Sequence, residues 1–175
     1  MKSALKTFFT TIYIFLIPLL SIMFLELIAY IPRNTSFWNF IRIAPFYTGI
    51  YFWLSLRPDA FNLLSAFILG IISDILNGST LGINVLTFLV LYLVSTQIFI
   101  YFNIKKFTYS WILFLLAIFI TLIFKTIIVS FSYHTLRPLN YLALEFMLTF
   151  AIYPVCSRFY SWVEKKYIHL EERYE

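Results

Sequence analysis

The segment Phe67–Leu93 reads FILGIISDILNGSTLGINVLTFLVLYL. It is almost wholly apolar, yet it holds Asp74, Asn77 and Asn84 together with Gly70, Gly78 and Gly82. An acid in a bilayer-spanning helix costs about 2.5–3.5 kcal/mol on insertion scales, so Asp74 is a functional-site candidate. The run Asn77-Gly78-Ser79-Thr80 follows directly and has the chemistry of a helix stop, with Gly78 suited to a left-handed backbone. The segment therefore reads as two apolar helices joined by a tight reversal, with one carboxylate close to the turn.

Working outward, the whole chain has the same character. Its 175 residues are 62% hydrophobic and 12% charged. A soluble domain carries about 25% charged residues, and half of that cannot cover a globule in water. The composition predicts an all-α, polytopic integral membrane protein with one membrane domain over residues 1–175 and no sizeable soluble domain. The 21 Phe suit lipid or the bundle interior, whereas the 13 Tyr suit membrane interfaces, where a ring can be half wet. The lone Cys156 excludes an intramolecular disulfide and a multi-cysteine metal site.

Punctuation along the chain predicts six transmembrane helices, at about 8–31, 40–56, 60–76, 81–102, 107–133 and 139–162, and a charged tail at 163–175. Lys2 and Lys6 precede the first run, which lacks a small-residue cleavage site and so reads as an uncleaved first span. Pro18 predicts a kink there. The second span is at the lower limit of length and ends at the breaker Arg57-Pro58-Asp59. An even number of spans puts both termini on one side. With that side cytoplasmic, Lys2, Lys6, Arg57, Lys105, Lys106, Arg158, Lys165, Lys166 and Arg173 lie inside, against Arg33, Arg42 and Arg137 outside. The positive-inside rule selects this orientation.

Alternate helices run in opposite directions, so sequence position converts to depth at about 1.5 Å per residue. On that conversion Glu26, Asp74, Lys125 and Glu145 fall in the outer half of the membrane, with Arg42 and Asn84 beginning helices that start outside. Unpaired, each buried charge is costly, which predicts pairing. Lys125 has two candidate partners, Asp74 and Glu145. Three arrangements compete for the set: a shared outward-facing polar cavity or docking surface, separate side chains snorkelling to the headgroups, and capping of the Asn77–Thr80 turn by Asp74 and Asn77. Gly70 lies one turn before Asp74 on the same helical face. Gly78 and Gly82 bracket the entry to the fourth helix and permit a tight reversal with close packing.

The chain carries no P-loop, HExxH, nucleophile elbow or dinucleotide fingerprint. His134 and His169 are expected on opposite sides of the membrane, which rules out a shared metal or relay between them. Neither an enzymatic activity nor a cofactor is predicted, and nothing points to nucleic acid, because the basic balance follows the positive-inside bias. Lys105, Lys106, Lys165 and Lys166 are expected to set topology rather than to bind anionic lipid.

Taken together, Arg57-Pro58-Asp59 and the spacing of Phe67, Gly70, Asp74, Gly78, Gly82 and Leu86 resemble the MreD family of rod shape-determining proteins. The motif covers about 30 residues, and elsewhere the likeness is in hydropathy. Lys125 and Glu145 do not map onto a family motif. The resemblance implies a non-enzymatic component of the bacterial cell-elongation complex in the cytoplasmic (inner) membrane. It would bind MreC and act indirectly with MreB, RodA and a class B penicillin-binding transpeptidase in peptidoglycan synthesis. The family is similar in fold to the substrate-binding subunits of energy-coupling-factor transporters, which makes a vitamin-type transporter subunit the alternative. The first span, TTIYIFLIPLLSIMFLELI, lacks the alanine-x-x-x-alanine docking pattern of such subunits. The site expected from all of this comprises Glu26, Arg42, Gly70, Asp74, Asn77, Gly78, Gly82, Asn84, Lys125 and Glu145.

Overall fold

The computed structural model describes residues 2–30, 45–102, 107–134 and 139–174, with side chains at 15–29, 45–102, 107–134 and 139–166. Arg42, with the expected start of the second span, lies outside them. The described residues form six helices: α1 (Lys2–Tyr30), α2 (Pro45–Leu56), α3 (Leu63–Asn77), α4 (Ile83–Tyr101), α5 (Phe107–Tyr133) and α6 (Leu139–Tyr174). There is no strand among them.

Local chemistry sets most of the boundaries. The breaker at Arg57-Pro58-Asp59 extends further than expected, so that α3 starts at Leu63. Asn62 caps it, its side chain accepting the N–H of Ser65 at 2.9 Å. α6 runs from Leu139 into the charged tail as far as Tyr174.

Among the described residues, three helices are long and apolar enough to cross a membrane: Ile83–Tyr101, Phe107–Tyr133 and Leu139–Lys166. Shorter apolar stretches are Leu63–Asn77 and, within α1, Phe15–Ala29. The described part of the second helix, the 12 residues Pro45–Leu56, is the most enclosed element. Every residue from Pro45 to Leu54 is buried. α1, α4 and α6 pack around it, making α2 the axis of the bundle rather than a lipid-facing peer of the others.

Aromatic rings fill the space around that axis. Tyr51 meets Phe99, Phe114 and Tyr153 with centroids 5.1, 5.1 and 5.9 Å apart. Their polar tips are satisfied inside the bundle. The Tyr51 hydroxyl donates to the Ser110 carbonyl at 3.0 Å, and Trp53 Nε1 donates to Ser21 Oγ at 3.0 Å. Pro154 leaves the Phe150 carbonyl without its usual helical donor. Trp111 Nε1 donates to that carbonyl at 3.3 Å, its ring stacked on Phe150.

α3 and α4 pack closely against each other, and Gly70 lets them do so. A Cβ on Gly70 would lie 2.5 Å from the Val85 Cα, so the two backbones approach only because that atom is missing. Gly70→Ala should therefore force the helices apart and destabilise by about 1–3 kcal/mol, as overpacking does. Thermal unfolding in detergent measures this, and an unchanged midpoint would mean that the contact yields freely.

Candidate functional site

α3 ends in a Schellman arrangement. Gly78 takes φ 59°, its N–H donates to the Ile75 carbonyl at 3.3 Å, and the Ser79 N–H donates to the Asp74 carbonyl at 3.1 Å. Asn77 Nδ2 turns back to donate to the Ser73 carbonyl at 2.6 Å. Gly82, at φ 106°, occupies the N-cap position of α4 and has no side chain to satisfy the exposed N–H groups of that helix.

Asp74 takes over that role from the neighbouring helix. Its Oδ2 accepts the Gly82 N–H at 2.8 Å, and its Oδ1 accepts the Asn84 N–H at 3.0 Å and the Ser79 hydroxyl at 2.8 Å. Asn84 Nδ2 donates to Ser79 Oγ at 3.2 Å, closing the set. A negative charge at the start of α4 also complements the helix dipole. Asp74 has zero exposure, so its carboxylate is turned wholly into the reversal. Of the three arrangements compatible with the sequence, the turn-capping one describes Asp74. Thr80 Oγ1 then ties the reversal to the end of α5 by donating to the Tyr133 hydroxyl at 2.7 Å.

The second polar group lies across α2, α5 and α6. Lys125 Nζ donates to Glu145 Oε1 at 2.6 Å and to the Tyr47 hydroxyl at 2.9 Å. Lys125 is 5% exposed and Glu145 4%, so this is a buried ion pair and not a lysine reaching for the headgroups. Between the two candidate partners of Lys125, the fold selects Glu145. Glu26, also buried, lies on α1 within electrostatic reach of Tyr160 on α6.

The two groups share one end of the bundle. The Phe88 ring packs edge-on against Tyr47, and Asn84 stands one helical turn, about 6 Å, before Phe88 on α4. Sequence-based depth thus brought Asp74, Asn84, Lys125 and Glu145 to neighbouring levels, whereas the structure divides them between a capped reversal and an interhelical ion pair. Tyr47, Ser79 and Tyr133 are the participants that sequence reasoning missed. Ser79 was visible in the turn. Tyr47 was not, since it meets Lys125 across 78 positions and is one of many tyrosines.

Chemically, both groups are closed. Carboxylates and ammonium are already matched by protein donors and acceptors, an arrangement that holds helices in register. Among the described residues no cluster of three His, Cys, Asp or Glu side chains could hold a metal ion. Exposed residues surround the reversal instead: Leu81, at 73% exposure, projects from its tip, beside Thr80 and near Ile75.

Compared with known proteins, residues 6–163 match the family model described as rod shape-determining protein MreD. No curated protein and no solved structure matches the chain.

Proposed function

The chain belongs to the MreD family of rod shape-determining proteins, and from that premise we propose that it is a non-enzymatic membrane scaffold of the cell-elongation complex. The family match over most of the chain is the observation that carries this reading. In it, the chain spans the inner membrane six times with both termini cytoplasmic. The α3–α4 reversal then faces outward and receives MreC. Through MreC the protein acts with MreB, RodA and the class B penicillin-binding transpeptidase to organise peptidoglycan synthesis.

The geometry supports a scaffold in a specific way. A docking surface loses less entropy on binding when it is already rigid. The Asp74 cap, the Gly70 contact and the Thr80–Tyr133 bond immobilise the reversal before any partner arrives. Asp74, fully buried, acts here as the support of that surface, and the exposed tip at Thr80 and Leu81 makes the contact. The transporter-subunit alternative needs polar groups left open to a ligand. The carboxylate of Asp74 and the ammonium of Lys125 are instead taken up by protein partners.

Crosslinking in growing cells tests the reading. Leu81→Cys adds a reactive thiol at the tip, whereas the native Cys156 is buried and should stay silent. The expected product is an adduct with MreC, formed by a crosslinker confined to the outside of the inner membrane. Normal expression with no MreC adduct, or labelling only from the cytoplasm, would remove this face from the interaction.

A further inference from the structure

The far end of α6 carries an organisation that the scaffold reading does not use. The apolar sequence of α6 gives way after Val163 to Glu164-Lys165-Lys166 and the charged tail, which sets this turn where hydrocarbon gives way to headgroups. At 100° per residue, with Arg158 as origin, Trp162 falls at about 40°, Lys165 at about −20° and Lys166 at about 80°. The three cations and the indole therefore occupy one stripe of roughly 100° on the helix. All four side chains are exposed, Trp162 at 60%.

Glu164, the acid of this turn, points elsewhere. It lies at about 240° on the same scale, where Arg57 approaches its carboxylate at 4.0 Å and leaves its side chain 14% exposed. Among the described residues, the stripe thus carries three cations and no acid. Its neighbours are also fixed in place. Lys166 Nζ sits over the Trp162 ring at 5.4 Å, and Phe159 beside it stacks on Phe24 of α1 at 5.8 Å. An indole with a lysine one turn beyond it is the pattern of an interfacial anchor: the ring lies at headgroup level and the ammonium meets phosphate.

From this juxtaposition we infer that Arg158, Trp162, Lys165 and Lys166 form a binding stripe for the phosphate headgroup of an anionic phospholipid. The occupant follows from charge complementarity and from depth. Positive charge at the end of an apolar span meets lipid phosphate before any other anion, and Trp162 supplies a surface for the glycerol and upper acyl region. The lysines thus have a role beyond setting orientation. The inference holds whichever side of the membrane this end faces.

The test uses the full chain in mixed micelles of phosphatidylglycerol and phosphatidylcholine at equal proportion, with retained lipid read by native mass spectrometry. Retained lipid should be enriched in phosphatidylglycerol. That enrichment should fall on the order of fivefold for each charge removed in Arg158→Gln, Lys165→Gln and Lys166→Gln, at ~1 kcal/mol per cation. Lys165→Arg with Lys166→Arg should keep it. Trp162→Ala should weaken retention of both lipids while the preference for phosphatidylglycerol remains. Should the triple variant fail to fold, Lys166→Gln alone carries the comparison. Equal retention of the two lipids by the native chain, or an unchanged preference in the glutamine variants, overturns the inference. Displacement of phosphatidylglycerol by millimolar inorganic phosphate also overturns it, by assigning the stripe to the free anion.

Discussion

Asp74→Ala is expected to lower the stability of the detergent-solubilised protein by about 1–3 kcal/mol, because it strands one buried backbone donor and leaves a second, part-buried one to water. Those donors are, in turn, the N–H groups of Asn84 and Gly82. The third partner, the Ser79 hydroxyl, can rotate to a new acceptor, whereas the backbone groups cannot. Asp74→Asn separates shape from chemistry. It keeps the volume but replaces one accepting oxygen with an NH2 that faces a donor, so it should recover less than half of the loss. Thermal unfolding followed by tryptophan fluorescence provides the measurement. In cells, both variants at normal expression should weaken MreC co-purification and round the cells, since the reversal they loosen is the proposed docking surface. A native midpoint for Asp74→Ala would show that α4 needs no cap from α3. Normal unfolding with lost MreC binding would instead place Asp74 in direct contact with the partner.

The second large effect belongs to the ion pair. Lys125→Met should cost about 3–5 kcal/mol, because Glu145 would remain buried without its counter-charge. Glu145→Leu should cost a similar amount for the converse reason. Joining both substitutions removes both charges and leaves apolar side chains of similar size, so the double variant should be more stable than either single one. Thermal midpoints of the four proteins close the cycle. Simple additivity of the two losses would mean that the 2.6 Å contact is not energetically coupled. The pair would then owe its presence to something other than α5–α6 registration. In the double variant the Tyr47 hydroxyl loses its lysine donor, so full recovery of native stability is not expected.

These two experiments address different layers of the molecule. The Asp74 cap is local in sequence: every partner lies within ten positions, on the two helices that the turn joins. Its ingredients were therefore legible as Asp74, Gly78, Ser79, Gly82 and Asn84 in one short segment, and capping was among the roles that the residue types allowed. Membrane class and helical content were legible for a related reason. Hydropathy and helix-breaking chemistry act over a few residues and need no knowledge of the fold. The match of residues 6–163 to the MreD family accords with the Gly70–Asp74–Gly78–Gly82 spacing in that segment.

Other features depend on which helix meets which. The apolar run of α2 gives no sign in the sequence that α1, α4 and α6 enclose it, because a residue's hydropathy is the same whether lipid or protein surrounds it. The choice of Glu145 over Asp74 by Lys125 has the same origin. Both acids are compatible by charge and depth, and only the packing of α5 on α6 brings one of them to 2.6 Å. Tyr47 completes that site from a position 78 residues away, for which no periodicity in the sequence is a guide. By itself, then, the sequence determined the membrane class, the helices and the chemistry of the α3–α4 reversal, since these arise from short-range backbone and solvation preferences. The tertiary structure alone decided that α2 is the axis, that Asp74 caps α4 and that Lys125 belongs to Glu145. Those outcomes turn on distances between helices, and the order of residues along the chain does not encode such distances in any local pattern.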